Sequence, residues 1–491
     1  MGVIIRQSIR ASIFSYLGAI IGYVNVLWLY PYFLEANQIG LLGLIQSSSY
    51  LLATFGQVGM GSTLVKFFPE LKHQKGLMGA ILLIAHLGFI AIVILILVFQ
   101  NVIVDYFSKQ SPLFIEYFQL ALIVTYLLVL FQVLEAFCRS ILEIGLPTFL
   151  RDIGLRTLTT LSIILYGFQL ISFHWLIWSL ALIYGLTTLV LFLYLKWEKG
   201  LTISVDFSFI NKKRLRSILN FGFYTLLGAG GTQIILQIDR IMVSGSLGLT
   251  ETGIYTIAFF IGTVIELPKR AIAQLSMSLL AQNFKEGDME AVKKLYAQTS
   301  INQFIIGALL LLGIWCNLDN VYQFVPNSDI YQKGFYVVLF IGLGKLSDML
   351  FGANGEIIVM SKFYRFNVVA VLSLALLTIA FNQWLIPIYG IEGAALASLL
   401  AMTLFNLSKY VFVWIKLGIQ PFTYKTVILI IIIGITYWIQ WLIPAFSSAL
   451  LDLSLRSLII TAFFIGPLYL LKVSAEVNHL INGFINKLSR F

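Results

Sequence analysis

Charge is what this sequence has least of. Only 11% of its 491 residues are Asp, Glu, Lys or Arg, against about 25% in soluble domains. So little polar surface would leave large apolar patches exposed to water, which excludes a soluble globular protein. Cysteine is almost absent too. Cys138 and Cys316 stand far apart, and no CxxC pair occurs, which excludes a disulfide framework and a cysteine metal site. No GxxxxGK[ST] occurs. "GLGK" at Gly342–Lys345 has neither the following Ser or Thr nor the earlier Gly, which is Leu339, so ATP hydrolysis has no signature here. Apolar runs such as "AIVILILVF" do not alternate in polarity, which excludes a β-barrel.

What remains is an all-α membrane protein. A helix needs about 20 apolar residues to cross the hydrocarbon core, and fourteen stretches meet this near 11–33, 39–61, 77–99, 115–138, 147–169, 174–195, 218–246, 252–275, 296–317, 332–358, 366–388, 391–415, 424–444 and 451–472. The first follows Arg6 and Arg10. It is longer than a secretory core and lacks a small-x-small cleavage site, so it reads as a retained span.

Lys and Arg orient the chain. With the N-terminus inside, all but five of the 32 fall on the inner side: Lys109, Lys333 and Arg456 lie outside, and Arg240 and Lys345 lie within spans. Both termini are therefore expected inside. The net charge of +10 follows from this bias and from attraction to anionic lipid, with no need of nucleic acid.

A weak internal repeat organises the chain. "SYLGA" (Ser15–Ala19) resembles "TLLGA" (Thr225–Ala229), and "LEANQIGLL" (Leu34–Leu42) resembles "LGLTETGIY" (Leu247–Tyr255), with Gly40 falling on Gly253. The first and seventh spans both follow basic inner segments, so the repeat is parallel, about an axis along the membrane normal. Two six-helix lobes are expected at 1–195 and 217–416, joined by a basic linker at 196–216, with two extra helices and an inner tail at 417–491. Such repeats are built for alternating access, with the substrate site between the halves.

Charges inside spans are expensive and mark function or internal pairing. "LQIDRIMVSG" (Leu236–Gly245) puts Gln233, Gln237, Arg240 and Ser244 on one face of the seventh span, about a quarter-turn from Asp239. The eighth span carries Glu266, Lys269, Arg270 and Gln274, with Pro268 expected to kink it; Lys269 and Arg270 also fit its inner end. At the 213-residue offset Gln57 corresponds to Arg270. In the tenth, Lys345, Asp348, Gly352 and Glu356 share a face, and Lys345 and Asp348 can neutralise each other at i,i+3. Substrate-binding candidates are Arg240, Arg270, Gln233, Gln237, Gln57 and Lys345. Asp239, Asp348 and Glu266 are candidates for ion coupling. Glu135, Arg139, Arg151 and Arg156 read as inner-leaflet charges. His86 reads as a helix–helix hydrogen bond rather than a proton relay, and Trp28, Tyr30 and Tyr32 as interface anchors rather than a sugar-stacking platform. More Arg, Lys and Gln than carboxylate favours an anionic, hydroxyl-rich substrate.

Three stretches resemble bacterial polysaccharide biosynthesis flippases: "LQIDRIMVSGSLGLTETGIYTIAFFI" (Leu236–Ile261), "LIPIYGIEGAALASLLA" (Leu385–Ala401) and the opening "SIFSYLGAIIGYVNVLWLYPYFLEANQIGLLGL". The family belongs to the multidrug/oligosaccharidyl-lipid/polysaccharide flippase superfamily. The resemblance implies two six-helix lobes, a central cavity and alternating access. The implied substrate is an undecaprenyl-diphosphate-linked oligosaccharide, carried to the outer leaflet for O-antigen, capsule or exopolysaccharide. It further implies the bacterial cytoplasmic membrane, with membrane lipids, a polysaccharide polymerase and glycosyltransferases as partners, no cofactor and no catalytic residues. Arg240 or Arg270 would meet the diphosphate or an acidic sugar. Unlike the cell-wall-precursor flippases, this chain has no arginine within its first span. Two alternatives stand beside this reading. One is a cation-coupled drug antiporter of the same superfamily. The other is a membrane-embedded sugar polymerase or glycosyltransferase, for which the outer loops are short.

Overall fold

The computed structural model describes residues 2–488 apart from 75, 205–207, 209, 210, 445 and 447. Among these the secondary structure is helical, with no strand, and helix occupies each of the fourteen apolar stretches. Nine described helices are long and apolar enough to cross a membrane, or ten if a pair bent by 49° is one span. The protein is thus an all-α, multi-pass membrane protein. The shortfall from fourteen has local causes. The eleventh and twelfth stretches form one run, Tyr364–Leu417, broken by Gly390 at φ +60°. The fifth is interrupted by a π turn at Phe149–Gly154 and the eighth by a 3-10 turn at Val264–Glu266, and the seventh lies in a helix of low mean hydropathy, Lys212–Leu247.

Those interruptions correct two expectations. Pro268 sits not mid-helix but at the start of Leu267–Glu286, after a 3-10 turn at Val264–Glu266. Its missing N–H costs nothing there. The tenth span breaks between Leu350 and Asn354, with Gly352 at φ +57°, so Glu356 does not continue the Lys345–Asp348 face.

The chain forms two compact units, Met1–Thr256 and Ile257–Phe491. The seventh span, within Lys212–Leu247, belongs to the first. In the second, a core of Ile265, Phe304, Leu311, Met349, Ile460 and Phe464 holds the two last spans against the ninth and tenth. Asp452 is bound there by Arg456 (3.0 Å), Asn320 (2.5 Å) and the Phe446 N–H (3.2 Å).

Inside the first unit the repeat appears as a contact. A Cβ on Gly40 would fall on the carbonyl oxygen of Leu249, and one on Gly253 would fall on that of Ala36. Shifting Ala36 and Gly40 by the 213-residue offset lands on Leu249 and Gly253. The two contacts are images of each other, as a local two-fold interface requires. Gly40→Ala is therefore expected to lower thermal stability, by about 1–3 kcal/mol as for overpacking, because backbone faces the new methyl. An unchanged melting temperature in purified protein would show that the two helices separate freely.

Candidate functional site

The first unit holds a cavity of about 440 Å³ among the second, fourth, fifth and seventh spans. Its polar lining includes Gln57, Ser62, Gln132, Glu135, Arg139, Arg151 and Gln233. The second span opens it by breaking. Helix Ala36–Gly56 ends at Gln57, and Met60–Leu71 starts after Val58 and Gly59, both at positive φ (51° and 69°). Gly59 meets the Gly222 carbonyl and Gly88 meets that of Gly56, so the break is held by backbone packed on backbone. Gln57 then donates to the Gln132 side chain at 2.7 Å.

The fifth span supplies the charge. Phe149–Gly154 is a π-helical turn, a distortion frequent at functional sites, and it carries Arg151. The guanidinium donates to Glu135 at 2.5 Å and to Asp152 at 2.9 Å, while remaining 40% exposed. Arg139 lines the same cavity and makes no ion pair among the described residues. Glycines of the first span make room for this arrangement. Gly18 lies against the Asp152 backbone and Gly22 against the Arg156 guanidinium. Ser15 donates to Asp152 at 2.6 Å, and Asn25 to the Arg156 carbonyl at 3.2 Å. Nearer the N-terminus Gln7 donates to Glu143 at 2.9 Å, and Lys199 holds the same carboxylate at 2.8 Å. The hydrogen bond from Lys199 keeps the Glu143 carboxyl below the usual carboxylate range.

Of the residues expected at the site, Gln57 and Gln233 line the cavity; Gln237 and Arg240 do not. Ser244, on their stripe, is fully buried and meets the Ser111 hydroxyl at 2.9 Å. Asp239 is buried and accepts from the Tyr255 hydroxyl at 2.8 Å, so it faces helix packing. Arg270 is exposed on Leu267–Glu286. His86 bridges two helices through Tyr126 at 2.5 Å.

The second unit gathers the other charges. Lys345 pairs with Glu266 at 2.5 Å, and Lys269 with Asp348. The expected Lys345–Asp348 pair is therefore not formed: each residue finds an opposite charge on the eighth span instead. Lys409, 5% exposed, lies 4.0 Å from the centroid of the Phe405 ring and makes no ion pair among the described residues. Each cysteine is free. No group of three His, Cys, Asp or Glu among the described residues is placed to hold a metal ion.

Sequence reasoning missed Gln132, Glu135, Arg139 and Arg151 as cavity residues, because the positive-inside bias already accounted for the basic ones. Two signals were present. "RD" at 151–152 places an acid inside a cationic inner-leaflet segment. "GAIIG" (Gly18–Gly22) has the small-xxx-small spacing that lets a partner helix approach closely.

No protein-family model matches the chain, and no curated protein matches it either. Solved structures do. The lipid II flippase MurJ in an inward closed conformation superposes with TM-score 0.75 at 16% identity, over 94% of this chain and 99% of that one. An inward-facing multidrug resistance MATE family transporter of the MOP superfamily gives 0.65 at 14%, over 84% and 98%. A MOP superfamily transporter from Pyrococcus furiosus gives 0.56 at 14%, over 85% and 95%. At these identities the likeness is one of fold: this chain folds as the lipid II flippase and the transporters of the MOP superfamily fold.

Proposed function

We propose that this protein flips undecaprenyl-diphosphate-linked oligosaccharide units across a bacterial cytoplasmic membrane by alternating access, for surface polysaccharide assembly. One observation carries the reading: an intramembrane cavity that sets Arg139 and Arg151 beside the amides of Gln57, Gln132 and Gln233. Guanidinium groups bind phosphate oxygens in pairs, and amides suit sugar hydroxyls. The lipid tail needs no cavity, because it can stay in the bilayer. The fold supports the reading, since its solved neighbours include a flippase named for a lipid-linked substrate. The orientation proposed is both termini inside, with a polymerase and glycosyltransferases as partners.

Arg240 and Arg270 remain in the proposal as cationic residues met along the path, and Gln237 and Lys345 as polar contacts. Asp239, Asp348 and Glu266 are each engaged, with Tyr255, Lys269 and Lys345. As ion-coupling residues they would act by changing partner. The likeness to multidrug transporters favours a second reading, drug antiport, which an efflux assay separates from the first. Arg240→Ala and Arg270→Ala are expected to abolish surface polysaccharide in a deletion strain while the protein still inserts. Normal polysaccharide from both would remove them from the path and leave Arg139 and Arg151 as its cations.

A further inference from the structure

A second cleft of about 580 Å³ lies at the far end of the fifth span. Tyr32, Phe33, Tyr166, Gln169 and Ser172 line it. It sits where helix Phe173–Glu198 begins, whereas Lys196 and Lys199 mark where that helix ends. By the positive-inside bias this is the outer side.

The cleft is built, not incidental. The first span passes through a π-helical turn at Asn25–Leu29 before Tyr30–Phe33. Trp28 and Tyr32 then stack, with ring centroids 5.7 Å apart and planes at 15°. Tyr32 is 60% exposed, so ring surface stays open beyond that stack. Phe33 meets Tyr32 edge-on at 4.8 Å. It lies so close to Gly167 that a Cβ there would fall on the Phe33 ring. Tyr166 accepts from Gln38 at 3.1 Å, which fixes its hydroxyl at the rim. The Leu155–Gly167 helix closes with Gln169 N–H on the Tyr166 carbonyl and Leu170 N–H on that of Leu165. That closure puts Gln169 at φ +59°, a position that favours glycine. The chain keeps a long amide there, in the cleft wall.

None of the lining residues is charged, so a diphosphate or a phospholipid headgroup would find no cation. Flat aromatic faces beside amide and hydroxyl groups match a ligand with both apolar C–H faces and hydroxyls. We propose that this cleft binds a neutral saccharide, one ring stacked on Tyr32 and its hydroxyls held by Gln169 and Ser172. Only the identity of the natural glycan rests on the flippase reading. On that reading the cleft receives the oligosaccharide on the side to which it is delivered.

The test is saturation-transfer NMR with maltotriose and chitotriose on the full chain in phosphatidylcholine nanodiscs. Transfer to at least one trisaccharide is expected. Tyr32→Ala should weaken it at least tenfold. Gln169→Gly should weaken it about fivefold without loss of thermal stability, because its φ is one that glycine adopts freely. Absence of transfer to both sugars overturns the proposal. So does transfer unchanged in both variants, which would leave Tyr32 a membrane-interface anchor. Failure of the flippase reading would appear in export and not in this signal, so the two are distinguishable.

Discussion

Replacing Arg151 by alanine is expected to reduce surface polysaccharide at least tenfold while the protein still reaches the membrane. Arg151 neutralises Glu135 and Asp152 at 2.5 and 2.9 Å. These carboxylates are 12% and 18% exposed, so water screens them only in part. The cavity lining carries two guanidiniums, Arg139 and Arg151, against one carboxylate, Glu135. Without Arg151 the lining has no net positive charge to meet the phosphate, and Glu135 loses its partner. Unit charges 4 Å apart interact by about 4 kcal/mol at an effective dielectric near 20, and about 1.4 kcal/mol is already tenfold. Arg151→Lys should recover part of the activity, because lysine restores the charge but not the forked geometry. Adding Glu135→Gln to Arg151→Ala should recover part as well, by removing the carboxylate that Arg151 no longer pairs. Full export from Arg151→Ala would mean that no anion passes this residue.

The largest loss of stability is expected from Asp348→Ala. In the folded second unit Asp348 holds Lys269, and both side chains are 15% exposed. Removing the carboxylate takes from Lys269 its hydrogen-bonded partner and leaves it beside Lys409, which is buried against the Phe405 ring, with Glu356 the remaining carboxylate near both. Breaking a buried pair from one side costs about 3–5 kcal/mol, whereas replacing both partners with apolar groups of similar volume is often neutral. Asp348→Ala should therefore lower the melting temperature of the purified protein and its folded yield. The double variant Lys269→Met, Asp348→Leu should restore most of both. A single variant as stable as the parent would show that water reaches these lysines.

The sequence carried the fold through a coarse signal, long apolar runs, and such runs survive local irregularity. The gap between the eleventh and twelfth stretches falls where Gly390 breaks the helix. The break at Gly352 was hidden because "GANG" sits inside an apolar run. Intramembrane charges were equally visible, but their partners were not. Spacing along one helix offered Lys345 and Asp348 to each other, and packing gave both to the eighth span instead. Asp239, a quarter-turn from Arg240, meets Tyr255 on its own helix's neighbour, a partner that spacing along one helix does not name. Arg151 escaped because a basic residue near an inner end has an ordinary explanation. Its role depends on Glu135, sixteen residues earlier, and on a π turn that no periodicity announces.

Translocation of a lipid-linked oligosaccharide past Arg139 and Arg151 can be watched in a purified system. The most direct test reconstitutes the full chain in liposomes with an undecaprenyl-diphosphate oligosaccharide carrying a fluorophore, bleached from outside by a reductant that cannot cross. The wild-type chain is expected to expose the inner-leaflet pool to bleaching, and Arg151→Ala to leave it protected. Wild-type liposomes that protect the inner pool as well as protein-free ones would contradict translocation by this chain.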